Sequence, residues 1–269
     1  MEEKYKARRS GKRKAMIIIL IIALIVLVGA VIGIVAIKEQ EVSDAKMNAQ
    51  MKELAEKEPQ ISEGPLEPPT ASNEPETDIP IDFAALTLQN PDIYAWITVP
   101  GTEIDYPVVQ NPLDDTFYLT HNTAGQESVG GAIYTELCNS KDFTDPNTVI
   151  YGHNMKNGSM FAGLHQYEDK TFFDENREVV IYIPGKKLIY HIFAAYSAGN
   201  EHIMQKYDFT DEVIFEGYIE DIFNLRDMKA NIDKNIEITA DDKILTLSTC
   251  VKGQDEKRYL VQAVLEKDE

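Results

Sequence analysis

The hydropathy pattern changes twice along the 269-residue chain. From Ala15 to Ile37 it runs 23 residues without a charged side chain, mostly Ile, Leu, Val and Ala. About 20 apolar residues form a helix long enough to cross a bilayer. Residues 1–14 before this run are a polar tip. Residues 38–80 after it are polar: Glu39–Glu58 is charged and free of proline, as a frayed helix would be, and Pro59–Pro80 holds six of the twelve prolines. Such a segment buries too little apolar surface to offset its ordering entropy, so residues 38–80 read as a stalk. Periodic apolar patterning starts near Ile81 and lasts to the end, which makes residues 81–269 a single domain with room for a sizeable core.

Within that domain the periods alternate. "DFAALTLQNPDIYAWITVPG" opens as a short amphipathic helix and passes Asn90-Pro91 into a strand at Ala95–Val99. "IDYPVVQ", "GGAIYTE" and "NTVIYGH" have the β-branched and aromatic content of strands and are bounded by Gly, Asn or Pro. "SMFAGLHQYEDKTFFDEN" is helix-like, with Met160, Leu164 and Tyr167 on one face. "EVVIYIPG" and "KLIYHIFAAYS" form a hairpin turned at Pro184-Gly185-Lys186. In "DEVIFEGYIEDIFNLRDMKA" the helical period predicts a face made of Val213, Ile214, Gly217, Tyr218, Ile222 and Leu225. "KILTLSTC" and "RYLVQAVLE" close the chain as two strands. About eight strands with helices set between them predict a mainly β fold, a closed or nearly closed barrel with helical additions.

Charge adds a direction. Seven Lys and Arg precede the apolar run against two Glu, and the rest of the chain carries 19 basic and 43 acidic residues. Basic residues flanking a span stay in the cytoplasm, so the N-terminus is expected inside and residues 81–269 outside, with the protein a single-pass resident of the cell membrane. A cleaved signal peptide would have an apolar stretch of only about 7–15 residues. The acidic body lacks the basic patches that displace counterions from nucleic acid, so nucleic acid is not an expected partner.

Two cysteines outside the cell invite a Cys138–Cys250 disulfide. Cys250, however, ends the apolar strand Ile244–Leu247, where the ladder fixes the backbone and the side chain emerges at a rim. A thiolate nucleophile needs a cationic or proton-accepting neighbour. Arg258 lies eight residues on, and a short hairpin returns it beside Cys250; its permanent charge and forked donors suit an oxyanion. Taken alone, a Cys ending a strand is more often buried and inert, and a lone Arg on a terminal strand is usually a solvated edge residue. Of the five histidines, His153 follows "TVIYG" and leaves a strand end through Gly152; His191 lies within a strand, His165 on a helix, and His121 and His202 in loops. Position favours His153, although spacing does not bring it to Cys250. No His or Cys pair has metal-ligand spacing, and no cofactor is expected.

"TLSTC" followed by a strand-opening Arg, with "YGHN" about 100 residues earlier, resembles the sortases. "NPDIYAWITVPGTEIDYPVVQ", "FYLTHN", "SVGGAIYTE" and the helical insertion at residues 210–230 are similar to the class B branch in order and spacing, over roughly Ile81 to Glu266. The resemblance implies an eight-stranded sortase barrel and a catalytic set of Cys250, His153 and Arg258, with Ser248, Tyr151 and Leu119 lining the substrate groove. It implies a cysteine transpeptidase of a Gram-positive bacterium that cleaves a sorting signal of Asn-Pro-x-Thr or Ser/Pro-Pro-x-Thr type after Thr. The product passes through a thioacyl-enzyme to a cell-wall peptide amine. A hydrolytic cysteine peptidase and an inactive membrane-tethered binding module are the alternatives. Two departures stand out: Asp114-Asp115 replaces the usual Asp-Asn pair, adding a negative charge near the groove, and Cys138 takes a commonly polar position. Because a disulfide would cap the nucleophile, titration of the unreduced chain is expected to count two thiols; a count of zero rules out Cys250 as nucleophile.

Overall fold

The computed structural model describes residues 2–56 and 79–269, so most of the expected stalk lies outside the described residues. The chain divides into two units, residues 1–45 and Lys46–Glu269. Helix α1, Glu2–Ala55, runs through the first unit and into the second. In the first, the apolar side chains from Met16 to Ile37 are all exposed, on a helix long and apolar enough to cross a membrane.

The second unit contains α2 (Phe83–Gln89), β1 (Ile93–Thr98), β2 (Asp105–Val109), α3 (Phe117–Thr120), β3 (Ile133–Tyr134) and β4 (Asn147–Tyr151). A 3₁₀ helix (Phe161–Glu168) and α4 (Lys170–Glu175) lead to β5 (Glu178–Ile183) and β6 (Lys186–Gly199). Then come α5 (Ile203–Lys206), α6 (Glu212–Phe223), β7 (Asn231–Ile232), β8 (Ile244–Val251) and β9 (Gln254–Asp268). The sheet order is β5-β1-β2-β3-β4-β8-β9-β6, and β6 pairs back onto β5 to close an eight-stranded barrel; β7 is added outside on β6. Most neighbours are antiparallel, but β2–β3 and β4–β8 are parallel.

Three apolar clusters explain the patterning. Ile97, Val108, Ile150, Ile181, Leu245, Leu247 and Val261 fill the barrel. Outside β6 and β9, Phe193, Tyr196 and Leu260 meet Phe215, Tyr218, Ile219 and Ile222 of α6. Burial on both faces is why β8 reads as a nearly unbroken apolar run rather than an alternation. The third cluster seats Met51 and Ala55, 5% and 1% exposed, with Leu86, Ile93, Trp96 and Tyr118, so packing in this unit starts ahead of Ile81. Lys52 Nζ meets Asp105 Oδ2 at 2.5 Å, while Trp96 Nε1 donates to Oδ1 at 2.7 Å. Burial favours the neutral carboxyl of Asp105, but the bonds from Lys52, Trp96 and Thr98 outweigh it and hold the group below its ordinary range.

The helix-like stretch is helical in two pieces, the 3₁₀ helix and then α4 behind the Asp169 cap, and Met160, Leu164 and Tyr167 are all buried. One expectation is corrected. On α6 the buried face is Phe215, Tyr218, Ile219 and Ile222, whereas Val213 and Ile214 are 79% and 38% exposed. Asp211 accepts from Val213 N and Ile214 N, which puts those two residues in the first turn, facing away from the barrel. Phe215→Ala is therefore expected to lower unfolding free energy by about 3–5 kcal/mol, and Val213→Ala by less than about 0.5 kcal/mol, in denaturant titrations of the full chain.

Candidate active site

Strands β4 and β8 run parallel in a register that sets Tyr151 against Ser248. Gly152 N donates to Ser248 O at 3.2 Å, carrying the pairing one residue further. The residues two beyond each paired end, His153 and Cys250, therefore leave the barrel at the same rim. The β8–β9 hairpin then pairs Cys250 with Arg258. All three groups line one cavity of about 260 Å³, together with Leu119, Tyr134, Tyr151 and Ser248. The six site residues read from the sequence are thus brought together. Cys138 and Cys250 are both free, so the disulfide alternative fails.

Local packing places each group. A Cβ on Gly152 would sit 2.5 Å from Ile133 Cδ1 and 2.7 Å from the Phe161 ring, so only glycine passes between them. Thr249 Oγ1 donates to Gly152 O at 2.7 Å, and Phe161 N donates to His153 O at 2.9 Å. His153 Nε2 lies 2.7 Å from the Leu119 carbonyl, which can only accept; Nε2 therefore carries the proton and Nδ1 is left for proton exchange. Gly131, at φ +56°, backs this ring: a Cβ there would lie 3.2 Å from His153 Cδ2 and 2.6 Å from Tyr118 O. Arg258 Nη1 donates to Asp255 O and Lys257 O at 3.1 and 2.9 Å, which ties the guanidinium to the hairpin and leaves Nη2 and Nε as donors.

Electrostatics divide the cavity. Opposite Arg258, Glu136 Oε2 is 2.6 Å from His202 Nε2 and accepts from Tyr151 OH at 3.5 Å. Burial raises the Glu136 carboxyl above its ordinary range, and His202 partly offsets this. Tyr134 and Tyr151 stack at 5.4 Å, and burial pushes both hydroxyls up, so neither ionises near neutral pH. Desolvation, with the carboxylates of Glu136 and Asp115, pushes the Cys138 thiol up to about 11. Cys138 thus stays protonated at neutral pH and is a poor nucleophile. Neither Asp114 nor Asp115 lines the cavity; Asp114 accepts from Thr116, and Asp115 accepts from Leu137 N at 2.7 Å. Among the described residues no cluster of three His, Cys, Asp or Glu could hold a metal ion. Sequence reasoning missed Glu136 and His202, which enter from loops with no strand register to reveal them. It also missed the Asn154 and His165 side chains beneath Cys250.

A profile of the Sortase domain matches residues 97–266. This chain belongs to the sortase family. It is 34% identical over 178 residues to a protein described as sortase B from Listeria monocytogenes, covering 65% of this chain and 70% of that protein. The crystal structure of Clostridium perfringens sortase B superposes with a TM-score of 0.62 at 33% identity, over 68% of this chain and 99% of the other. Sortase B from Bacillus anthracis reaches 0.70 at 28% identity, over 86% of this chain and all of that one. The chain is accordingly a sortase B-type cysteine transpeptidase of the cell-wall anchoring class, and its closed barrel is the sortase fold. Because glycine alone fits beside the imidazole, Gly131→Ala and Gly152→Ala are each expected to lower kcat at least about 10-fold by displacing His153. Steady-state kinetics on the folded variants checks this.

Proposed function

We propose that this sortase is held in the cell membrane by the Ala15–Ile37 span, with its N-terminus in the cytoplasm and its catalytic domain outside. There it cleaves a C-terminal sorting signal of Asn-Pro-x-Thr or Ser/Pro-Pro-x-Thr type after Thr and hands the protein to a cell-wall peptide amine. The observation that carries the reading is the meeting of a thiol, an imidazole and a guanidinium in one cavity, at the ends of three adjacent strands.

In this mechanism Cys250 Sγ, as thiolate, attacks the threonine carbonyl carbon. The oxygen becomes an oxyanion facing the remaining donors of Arg258. His153 holds the thiol's proton on Nδ1 as an imidazolium; collapse breaks the C–N bond, and that proton passes to the departing amine, leaving a thioester on Cys250 and a neutral imidazole. The incoming amine attacks that thioester and loses its proton to His153. Cys250 then leaves as thiolate, and a new amide has replaced the old one. Ser248, Tyr151 and Leu119 line the groove that holds the signal. Ser248 is 4% exposed and Leu119 42%, giving a polar floor and an apolar wall.

Full-length protein in detergent micelles, assayed with a peptide library and an added amine, tests the reading. Cys250→Ala is expected to abolish turnover. Arg258→Lys keeps the charge but loses the fork, so kcat is expected to fall on the order of 100-fold; unchanged activity removes the oxyanion role. Transfer product is expected to rise with amine concentration. Release without transfer at every concentration identifies a hydrolase instead.

A further inference from the structure

The pairing of β8 with β9 slips between Cys250 and Val251. The three extra residues, Asp255–Lys257, lie on β9, and the ladder is interrupted just past the Cys250–Arg258 pair. Two side chains lie against the Cys250 carbonyl. Asn154 Nδ2 donates to it at 3.0 Å, and His165 Nε2 lies 3.1 Å from it. The same Asn154 nitrogen is 2.9 Å from His165 Nε2, so the three polar atoms form a nearly equilateral triangle.

Proton count sets the direction of these bonds. His165 Nδ1 is 2.7 Å from Glu168 Oε1, and a carboxylate accepts, so Nδ1 carries hydrogen. In the neutral ring Nε2 is then an acceptor. Asn154 has two amide protons and two acceptors in reach: one proton goes to His165 Nε2 and the other to Cys250 O. His165 Nε2 and the Cys250 carbonyl together set which way the Asn154 amide faces. The ring is itself fixed, stacked on Tyr259 at 4.7 Å, and Tyr259 pairs with Thr249 beside the nucleophile.

These groups do not face the catalytic cavity. Asn154, His165, Glu168 and Tyr259 line a separate cavity that shares no residue with the one holding Cys250, His153 and Arg258. They reach Cys250 through its backbone alone.

We propose that Glu168, His165 and Asn154 form a relay of positioning residues that fixes the Cys250 carbonyl where the β8–β9 ladder is interrupted and so aims the thiol at the substrate carbonyl. The relay rests on Cys250 being the nucleophile. A nucleophile displaced by about 1 Å can lose about 100-fold in rate, which sets the scale of the effect.

The test uses full-length protein in micelles and the library peptide that wild type cleaves fastest. Asn154→Ala and His165→Ala are each expected to lower kcat about 10- to 100-fold with KM within about twofold, since neither residue touches substrate. The double variant is expected to be no slower than the slower single, as for members of one relay. His165→Gln, whose amide oxygen can accept from Asn154, is expected to recover most of the loss. Alkylation of Cys250 by iodoacetamide, a small reagent that needs no aimed thiol, is expected to stay within about threefold of wild type. Wild-type kcat in both single variants overturns the relay. So do losses that multiply in the double variant, or a His165→Gln as slow as His165→Ala. Mass spectrometry of wild type with peptide separates the two levels of the argument. A thioacyl adduct on Cys250 with unaffected variants removes the relay alone, whereas no adduct removes the nucleophile and the relay together.

Discussion

The parallel register of β4 against β8 is the constraint on which the site depends. Side chains alternate with period two along a strand, so a slip by one residue would turn Cys250 and His153 to opposite faces. Buried polar groups near the start of these strands oppose such a slip. Thr246 Oγ1 donates to Asn147 Oδ1 at 2.9 Å, Gln262 Nε2 donates to Thr246 Oγ1 at 3.1 Å and also reaches Tyr218 OH, and all four residues are buried. Asn139 adds a brace, donating to Asn147 O at 2.8 Å and accepting from Val149 N at 3.0 Å. Any other register would leave several of these groups buried without partners, at about 1–3 kcal/mol each. The polar floor thus specifies, from one end of the barrel, which side chains meet at the other.

Reactivity and packing are kept apart along the same strands. Leu245 and Leu247 lie in the barrel core at 0% exposure, while Cys250, a few residues on, is exposed at the rim. The hairpin carries the Cys250 thiol and the Arg258 guanidinium on one continuous piece of chain, and the His153 imidazole follows the adjoining parallel strand. Glycines at 131 and 152 let the backbone close tightly enough around that imidazole to leave it a single pose. The second thiol is set apart from this arrangement: partial burial, with the acidic groups near Cys138, keeps it protonated, so the two cysteines do not compete.

Much of this was legible in the residues. Strand ends are visible as β-branched runs stopped by Gly, Asn or Pro, which is why the ends of β4 and β8 and the return of β9 could be read from "NTVIYGH", "KILTLSTC" and "RYLVQAVLE". The outer layers were harder. The α6 face was misplaced because Val213 and Ile214 have the right hydropathy, and only the Asp211 cap fixes which turn they occupy. The 3₁₀ geometry at Phe161–Glu168 has no distinct apolar period over eight residues. The packing of Met51 and Ala55 was hidden by the charged residues around them. His165 and His202 looked idle on a helix and in a loop, because the contacts that bring them to the site, with the Cys250 carbonyl and with Glu136, span 85 and 66 residues.

Closure of the barrel also bears on how a peptide can be read. Each of the eight strands in the ring has neighbours on both sides, and the open edge belongs to the two-residue β7 outside it. A guest chain therefore finds only short stretches of ladder to extend, beside the two-residue β3 and at β7, which limits recognition through shared main-chain bonds, a mode tolerant of sequence. Discrimination must come from the shape and polarity that individual side chains meet. Among the described residues, a sheet whose edges are this short offers an extended chain side-chain shape rather than shared backbone bonds.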